Sequence, residues 1–206
     1  MRQSRRAAVI FDYGNVLART LDPTPRAKWE RRLGLASGEL QRLVHNDHSW
    51  VAAQLGQLTV DAYWHNVGTS LGLTPADTAM LRATFYTGDV LNVELIACID
   101  QLHAAGIRTA LLSNFSTELR HFLADYDLLW RFDYIAISAE IGAIKPDVAA
   151  YQAVLARLEL PGQNCIFIDD QPTNVHAAQA LGIHGIVFQD NPTCLAELAC
   201  LLTTFP

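Results

Sequence analysis

Acidic side chains come at the ends of two apolar segments of the sequence. Asp12 directly follows the apolar run Ala7–Phe11, and the adjacent pair Asp169 and Asp170 closes a second apolar run. Carboxylates brought together in a low-dielectric crevice repel one another, so they require a cation that neutralises them. Oxygen ligands suit Mg²⁺, which keeps several waters and often shares its site with a phosphate. These residues therefore predict a magnesium site formed by Asp12, Asp169 and Asp170.

Groups that could hold a phosphate follow two other segments. Ser113 and Asn114 end an apolar run and could donate hydrogen bonds to phosphate oxygens. Lys145 could supply a positive charge against the phosphate and the developing transition state. The chain uses arginine for its other positive charges, and its only other lysine is Lys28. A lysine at position 145 therefore favours a specific role. Together with the acidic groups, these residues favour phosphoryl transfer.

Each of these residues also has a purely structural interpretation. Asp12 could be a turn residue, and Ser113 and Asn114 could cap the helix that follows them. Lys145 could be a solvated charge in a loop. Asn174 could hydrogen-bond the adjacent acids or simply lie on its helix. The two adjacent acids are harder to explain structurally, because a structural role has no need of their mutual repulsion.

Short apolar runs alternate with amphipathic segments along most of the chain. The runs predicted as buried strands are Ala7–Phe11, Arg108–Leu112, Tyr134–Ser138, Cys165–Asp169 and Gly185–Gln189. The segments predicted as helices are Val93–Ala105, Thr117–Asp125, Asp147–Leu158 and Thr173–Leu181. This alternation predicts a doubly wound α/β fold with a parallel sheet, in which ligands bind outside the carboxyl ends of the strands.

Residues 18–91 interrupt the alternation. They contain no strand-like run, only helical periodicity over Lys28–Leu35, Ser37–His45 and Thr59–Leu71, with Thr59 and Thr74 as predicted N-caps. We expect an all-helical cap over residues 18–91, inserted into a core formed by residues 1–17 and 92–206. An insertion at that edge of the sheet would cover the site and select the substrate. Four of its residues could contact substrate, although aromatic residues at helical spacing more often belong to a core: His45, His48, Trp50 and Trp64.

Composition excludes several classes of protein. The chain has 206 residues, of which 50% are hydrophobic and 17% charged, so it is neither disordered nor collagen-like. A net charge of −6 gives no electrostatic reason for binding nucleic acid or an anionic membrane, which favours a small-molecule substrate. The apolar run after Arg5 and Arg6 ends at Phe11, well short of the roughly 7–15 residues that form the apolar core of an export signal. We therefore expect a cytoplasmic protein, with its four scattered cysteines reduced and buried.

Four motifs occur in an order that resembles a known family. They are F-D-Y-G-N-V at Asp12, L-L-S-N at Ser113 and Asn114, I-K-P-D at Lys145 and F-I-D-D at Asp169 and Asp170. In order and rough spacing they are similar to the motifs of the haloacid dehalogenase-like hydrolases, and the resemblance covers nearly the whole chain. It implies that the helical insertion is the four-helix type of cap that these proteins carry between the first and second motifs.

The resemblance also implies roles for individual residues. Asp12 would be the nucleophile that forms an aspartyl-phosphate, while Ser113 and Lys145 would hold the phosphate. Mg²⁺ would be bound by Asp12, the backbone carbonyl of Gly14 and Asp170, with Asp169 reaching it through water. The protein would then be a Mg²⁺-dependent phosphatase of a small phosphorylated metabolite, with sugar phosphates as one candidate class.

Gly14 departs from the phosphatase pattern. Phosphatases of this family usually have a second Asp two residues after the nucleophile, which protonates the leaving oxygen. Three replacements are open: a cap residue such as His45 or His48, a bound water, or a substrate with a good leaving group. The same gap fits a 2-haloacid dehalogenase, which attacks carbon without a metal, but dehalogenases lack the Asp pair of the fourth motif. A non-catalytic binding or regulatory member of the fold is a third alternative.

Overall fold

The computed structural model describes residues 7–45 and 48–203, so the Arg5-Arg6 pair lies outside the described residues. The strands are β1 (Ala8–Phe11), β2 (Ala18–Thr20), β3 (Asp89–Leu91), β4 (Arg108–Ser113), β5 (Tyr134–Ile137), β6 (Cys165–Asp169) and β7 (His184–Val187). The helices are α1 (Thr24–Leu33), α2 (Glu39–His45), α3 (His48–Gln54), α4 (Val60–Ser70), α5 (Pro75–Phe85), α6 (Val93–Ala104), α7 (Leu119–Asp125), α8 (Ser138–Ile141), α9 (Val148–Leu158), α10 (Pro172–Gln179) and α11 (Asn191–Leu202).

Five strands form one parallel sheet in the order β5-β4-β1-β6-β7, with β1 at its centre. Each strand begins and ends within two residues of its predicted bounds. Alternate residues of β1 enter two different apolar clusters, Val9 and Phe11 on one face of the sheet and Ala8 and Ile10 on the other. A parallel strand covered on both faces is apolar along its whole length, which is why it was recognisable in the sequence. The predicted doubly wound α/β class is confirmed.

Predicted helix boundaries coincide with observed caps. The side chains of Thr59 and Thr74 each accept a hydrogen bond of 3.2 Å from a backbone N–H in the first turn of the following helix. Gly106 and Gly182 have φ angles of 77° and 78°, in the left-handed region expected just after a helix C-terminus. Helix α11 was not predicted, although its N-cap Asp190 accepts a hydrogen bond from the Thr193 N–H and would have been a recognisable signal.

The insertion is not all-helical, which corrects one prediction. Strands β2 and β3, at its two ends, pair antiparallel with Ala18 opposite Leu91. Strands of three residues are too short to produce a detectable alternation in sequence. Between them, helices α1–α5 share an apolar cluster of their own that includes Trp29, Trp50 and Tyr63. The division into core and cap remains a prediction.

The cysteines differ in their exposure. Cys165 and Cys194 are buried as expected, but Cys200 is exposed on the last helix, so the expectation that every cysteine is buried was wrong. Within residues 7–45 and 48–203, every helix is too short or too polar to cross a lipid bilayer.

Candidate active site

The carboxyl ends of three neighbouring strands bring the predicted residues to one edge of the sheet. Asp12 directly follows β1, and its N–H donates to the Ile168 carbonyl at 2.9 Å, which ties it to the end of β6. Ser113 is the last residue of β4, and Asp169 is the last residue of β6. Carboxylate oxygens of Asp12, Asp169 and Asp170 lie within 4.8 Å of one another. The acidic residues predicted to meet therefore do meet.

Lys145 lies between two of these carboxylates. Its Nζ is 2.7 Å from Asp12 Oδ1 and 2.6 Å from Asp169 Oδ2, and its side chain is only 2% exposed. Both contacts are charge-assisted hydrogen bonds between a buried ammonium and a carboxylate. The interpretation of Lys145 as a solvated loop charge is excluded.

The electrostatics of Asp12 follow from this environment. Burial raises the pKa of Asp12 to about 6, the Lys145 ammonium opposes that shift, and the neighbouring Asp169 reinforces it. A carboxylate that is desolvated yet still ionised at neutral pH is a competent nucleophile.

Asp169 and Asp170 have different surroundings. Asp169 is fully buried, and Asn174 Nδ2 donates to both of its oxygens at 3.0 and 3.1 Å, while the Gln171 N–H donates to Oδ1 at 2.8 Å. Asp170 is partly exposed and accepts from Asn15 Nδ2 at 3.0 Å and from Gln171 Nε2 at 2.8 Å. Asn174 therefore hydrogen-bonds Asp169, one member of the acidic pair. The roles of Asn15 and Gln171 were not predicted, although Asn15 lies within the first motif and Gln171 directly follows the fourth.

Asn114 is engaged with the loop that carries Lys145. Its Oδ1 accepts from the Lys145 N–H at 2.7 Å, and its Nδ2 donates to the Lys145 carbonyl at 2.8 Å. The amide thus holds the lysine backbone in place, a role that the sequence did not predict; a direct contact with phosphate remains a prediction. From helix α3, Gln54 Nε2 donates to the Asn114 carbonyl at 2.9 Å, another contact that sequence reasoning missed.

A cavity of about 1220 Å³ covers these groups, and helices α2–α5 supply much of its wall. His45, Trp50 and Trp64 line it, whereas the exposed His48 lines a separate shallow depression, so His48 does not share the cavity that Asp12 and Lys145 line. His45 Nε2 lies 3.0 Å from the Tyr86 hydroxyl. Burial, and secondarily Arg26, lowers the pKa of His45 to about 4, so the ring is neutral at pH 7. A neutral imidazole is a weak proton donor, which disfavours His45 as the general acid.

Gly14 also lines the cavity, and its position has room for a side chain. A Cβ there would meet no atom within 4 Å, and its φ lies outside the left-handed region. The glycine is therefore not required by backbone conformation or by close packing. Its predicted role as a carbonyl ligand remains a prediction.

Comparison with known proteins agrees with the geometry. The family model of the haloacid dehalogenase-like hydrolases matches residues 7–182. The chain belongs to this family. Two relatives are named for different activities. Sesquiterpene phosphatase astK of Aspergillus oryzae is 29% identical over 95% of this chain and 96% of its own length. (S)-2-haloacid dehalogenase 1 of Pseudomonas sp. is 25% identical over 88% of this chain and 83% of its own length. The chain spans less than two fifths of several longer relatives.

Among solved structures, the fold of this haloacid dehalogenase-like hydrolase resembles a family enzyme of Bacteroides thetaiotaomicron crystallised with magnesium and inorganic phosphate. The TM-score is 0.74 at 18% identity, over 89% of this chain and 94% of the other. At this identity the likeness concerns the fold alone, and it confirms the α/β architecture of the family.

Proposed function

We propose that this hydrolase is a Mg²⁺-dependent phosphatase that removes phosphate from a small phosphorylated metabolite through an aspartyl-phosphate on Asp12. The observation that carries the proposal is the approach of the Asp12, Asp169 and Asp170 carboxylates within 4.8 Å, beside the buried Lys145. Three acids with one lysine leave uncompensated negative charge, which a divalent cation would neutralise.

The donor set fits Mg²⁺, which prefers oxygen ligands and retains water. Asp12, Asp170 and the carbonyl of Gly14 would hold it directly. Both oxygens of Asp169 already accept hydrogen bonds from other protein groups, which suits an indirect contact through water. When bound, Mg²⁺ would stabilise negative charge on the phosphoryl oxygens.

The chain's own residues account for the two displacements. An Asp12 carboxylate oxygen attacks phosphorus, the ester P–O bond breaks, and the alcohol oxygen departs. Ser113 and Lys145 orient the phosphoryl oxygens, and Lys145 is already 2.7 Å from Asp12 Oδ1. Water then attacks phosphorus and the P–O bond to Asp12 breaks, which releases inorganic phosphate. Gly14 has no side-chain carboxyl group that could donate a proton. The alcohol oxygen therefore takes its proton from water, or it departs as a stabilised anion.

The phosphatase name of a relative that matches over nearly the whole of both chains supports the same activity. We further propose that residues 18–91 act as a cap that selects the substrate, since residues of that segment and of the sheet edge line one cavity. Sugar phosphates are one candidate class of substrate. The protein is expected to act in the cytoplasm on small molecules rather than on nucleic acid or membranes.

A dehalogenase is the second candidate, because position 14 is not acidic and a dehalogenase is among the relatives. The experiment that decides is a screen of phosphorylated metabolites and 2-haloacids, each with Mg²⁺ and with a chelator. Mg²⁺-dependent phosphate release supports the phosphatase. Halide release that is indifferent to the chelator supports the dehalogenase, and Mg²⁺ binding without any turnover supports a non-catalytic member.

A further inference from the structure

In the part of the cavity beyond Asp12 and Lys145, the arginines on helices α1 and α5 are paired with carboxylates. Arg26 in its wall uses all three guanidinium nitrogens: Nη2 is 2.9 Å from Asp89 Oδ1, Nη1 donates to the Gln41 amide oxygen at 3.1 Å, and Nε donates to the Phe85 carbonyl at 2.9 Å. Three of its five N–H donors are used in this way, its charge is paired with that of Asp89, and its side chain is only 8% exposed, so it has no unpaired charge to offer a second anionic group on a substrate.

A second arginine of the cavity wall, Arg82 on α5, forms ion pairs with two carboxylates. Its Nε is 2.8 Å from Glu118 Oε1 and its Nη1 is 2.7 Å from Asp61 Oδ1. Of the cavity-lining arginines in the described part of the chain, this leaves Arg19, which is exposed on β2. The interior wall therefore presents no net positive charge to the alcohol part of a substrate.

An aromatic surface lies beside the phosphate-binding residues. Phe115 follows Ser113 and Asn114 directly in the chain, and its ring centroid is 5.7 Å from that of Tyr86 and 6.1 Å from that of Phe122. Tyr86 and Phe122 are 5.2 Å apart. All three residues are partly exposed and line the cavity, where the alcohol part of a substrate could contact them.

We infer that the cavity is built for phosphate monoesters of an uncharged, apolar alcohol, and that it discriminates against esters carrying a second anionic group. Apolar contact with the three rings would stabilise such an alcohol. A second anion would lose its water without gaining a free buried cation. This inference rests on the proposed phosphatase activity, and within it favours esters of apolar alcohols over the sugar phosphates named above as one candidate class.

The test compares two pairs of substrates by kcat/KM for phosphate release with Mg²⁺. Phenyl phosphate is matched with 4-(carboxymethyl)phenyl phosphate, whose carboxylate is separated from the ring by a methylene and changes the leaving group little. Hexyl phosphate is matched with sorbitol 6-phosphate. We expect the uncharged apolar member of each pair to be favoured at least tenfold. Ratios near one, or reversed ratios, would overturn the inference while leaving the phosphatase intact.

Binding supplies a readout that does not depend on turnover. Calorimetry with phenylphosphonate and 4-(carboxymethyl)phenylphosphonate should show at least a tenfold difference in Kd, and equal affinities would count against the inference. If no ester releases phosphate, the proposed function fails and this comparison still decides what the cavity accepts.

Variants locate the preference in the wall. Phe122→Asn should reduce the hexyl-to-sorbitol ratio at least threefold, whereas Val148→Asn, an exposed apolar position on α9 that is 47% exposed, should preserve it. Asp61→Asn removes one of the two negative charges paired with Arg82 and should raise the relative kcat/KM for the carboxymethyl substrate. A preserved ratio in Phe122→Asn, with the circular dichroism of the folded protein retained, would show that the rings do not select the alcohol.

Discussion

Gly14→Asp tests whether the missing proton donor limits the reaction. The site accommodates the change, because a Cβ at Gly14 meets no atom within 4 Å and the backbone is not left-handed there. The introduced carboxyl would lie two residues after Asp12, in the cavity that Asp12 and Asp170 also line, and nearby carboxylates favour the protonated form of an added acid. General acid catalysis is worth about 10²–10⁴ in rate, or about 2.7–5.4 kcal/mol of barrier.

The increase in kcat/KM depends on the basicity of the leaving group. An alkyl alcohol leaves as a strongly basic alkoxide, whereas 4-nitrophenol leaves as a stable anion. We therefore expect Gly14→Asp to raise kcat/KM for hexyl phosphate by about a hundredfold and that for 4-nitrophenyl phosphate by less than about threefold. The parameter kcat/KM is used because it reports the transfer of the phosphoryl group to Asp12 rather than the later hydrolysis.

Gly14→Asn is the matched control, since it has nearly the same shape and no acidic proton. Acceleration of both substrates to the same extent, or an equal effect of Asn and Asp, would refute the reasoning that an acid is what position 14 lacks. An unchanged rate for hexyl phosphate in a variant that folds and binds Mg²⁺ would show that water already supplies the proton.

Four other outcomes are expected. Asp12→Asn should abolish phosphate release in a coupled phosphate assay, and full turnover in that variant would exclude the nucleophilic mechanism. Asp170→Ala should remove both activity and Mg²⁺ binding measured by calorimetry, with unaltered binding as the contrary result. Gln54→Leu loses the donor to the Asn114 carbonyl and should lower kcat up to about tenfold with little change in KM; a change confined to KM would indicate a substrate contact instead. The pKa of His45 is about 4 in the folded protein against 6.5 unfolded, so the unfolded state binds the extra proton and stability falls as pH drops from 6.5 towards 4. Between pH 6.5 and pH 4 this residue should lower the free energy of unfolding, measured with urea, by up to about 3 kcal/mol. His45→Gln should show a correspondingly smaller loss over the same pH range, and an equal loss in both proteins would contradict this origin.

Much of the fold and of the reactive floor could be predicted from the sequence. The buried parallel strands are apolar along their length, so their ends, and the polar residues that follow them, stand out. Residues 18–20 and 89–91 were missed as strands, because their pairing is with each other across about 70 residues and neither has a pattern of its own.

The supporting contacts of the site were harder to predict. The amide of Asn114 suggested a phosphate donor, yet it holds the backbone of Lys145. His45 and His48 looked equivalent in sequence, but only His45 lines the cavity. Which of two nearby histidines turns inward depends on how helices α2 and α3 pack, and helical periodicity alone does not fix that packing.

The sequence by itself determined the class of fold, the edge of the sheet where the candidate site lies, and the identity of the acids and the lysine there. These follow from local rules: apolar runs form buried strands, and parallel strands end together at one edge. Only the tertiary structure decided that Lys145 bridges Asp12 and Asp169 and that Gln54 contacts the Asn114 carbonyl. It also decided that Arg26 and Arg82 in the cavity wall are paired with carboxylates. Those contacts join residues far apart in the chain, and their geometry is set by the packing of the helices over the sheet.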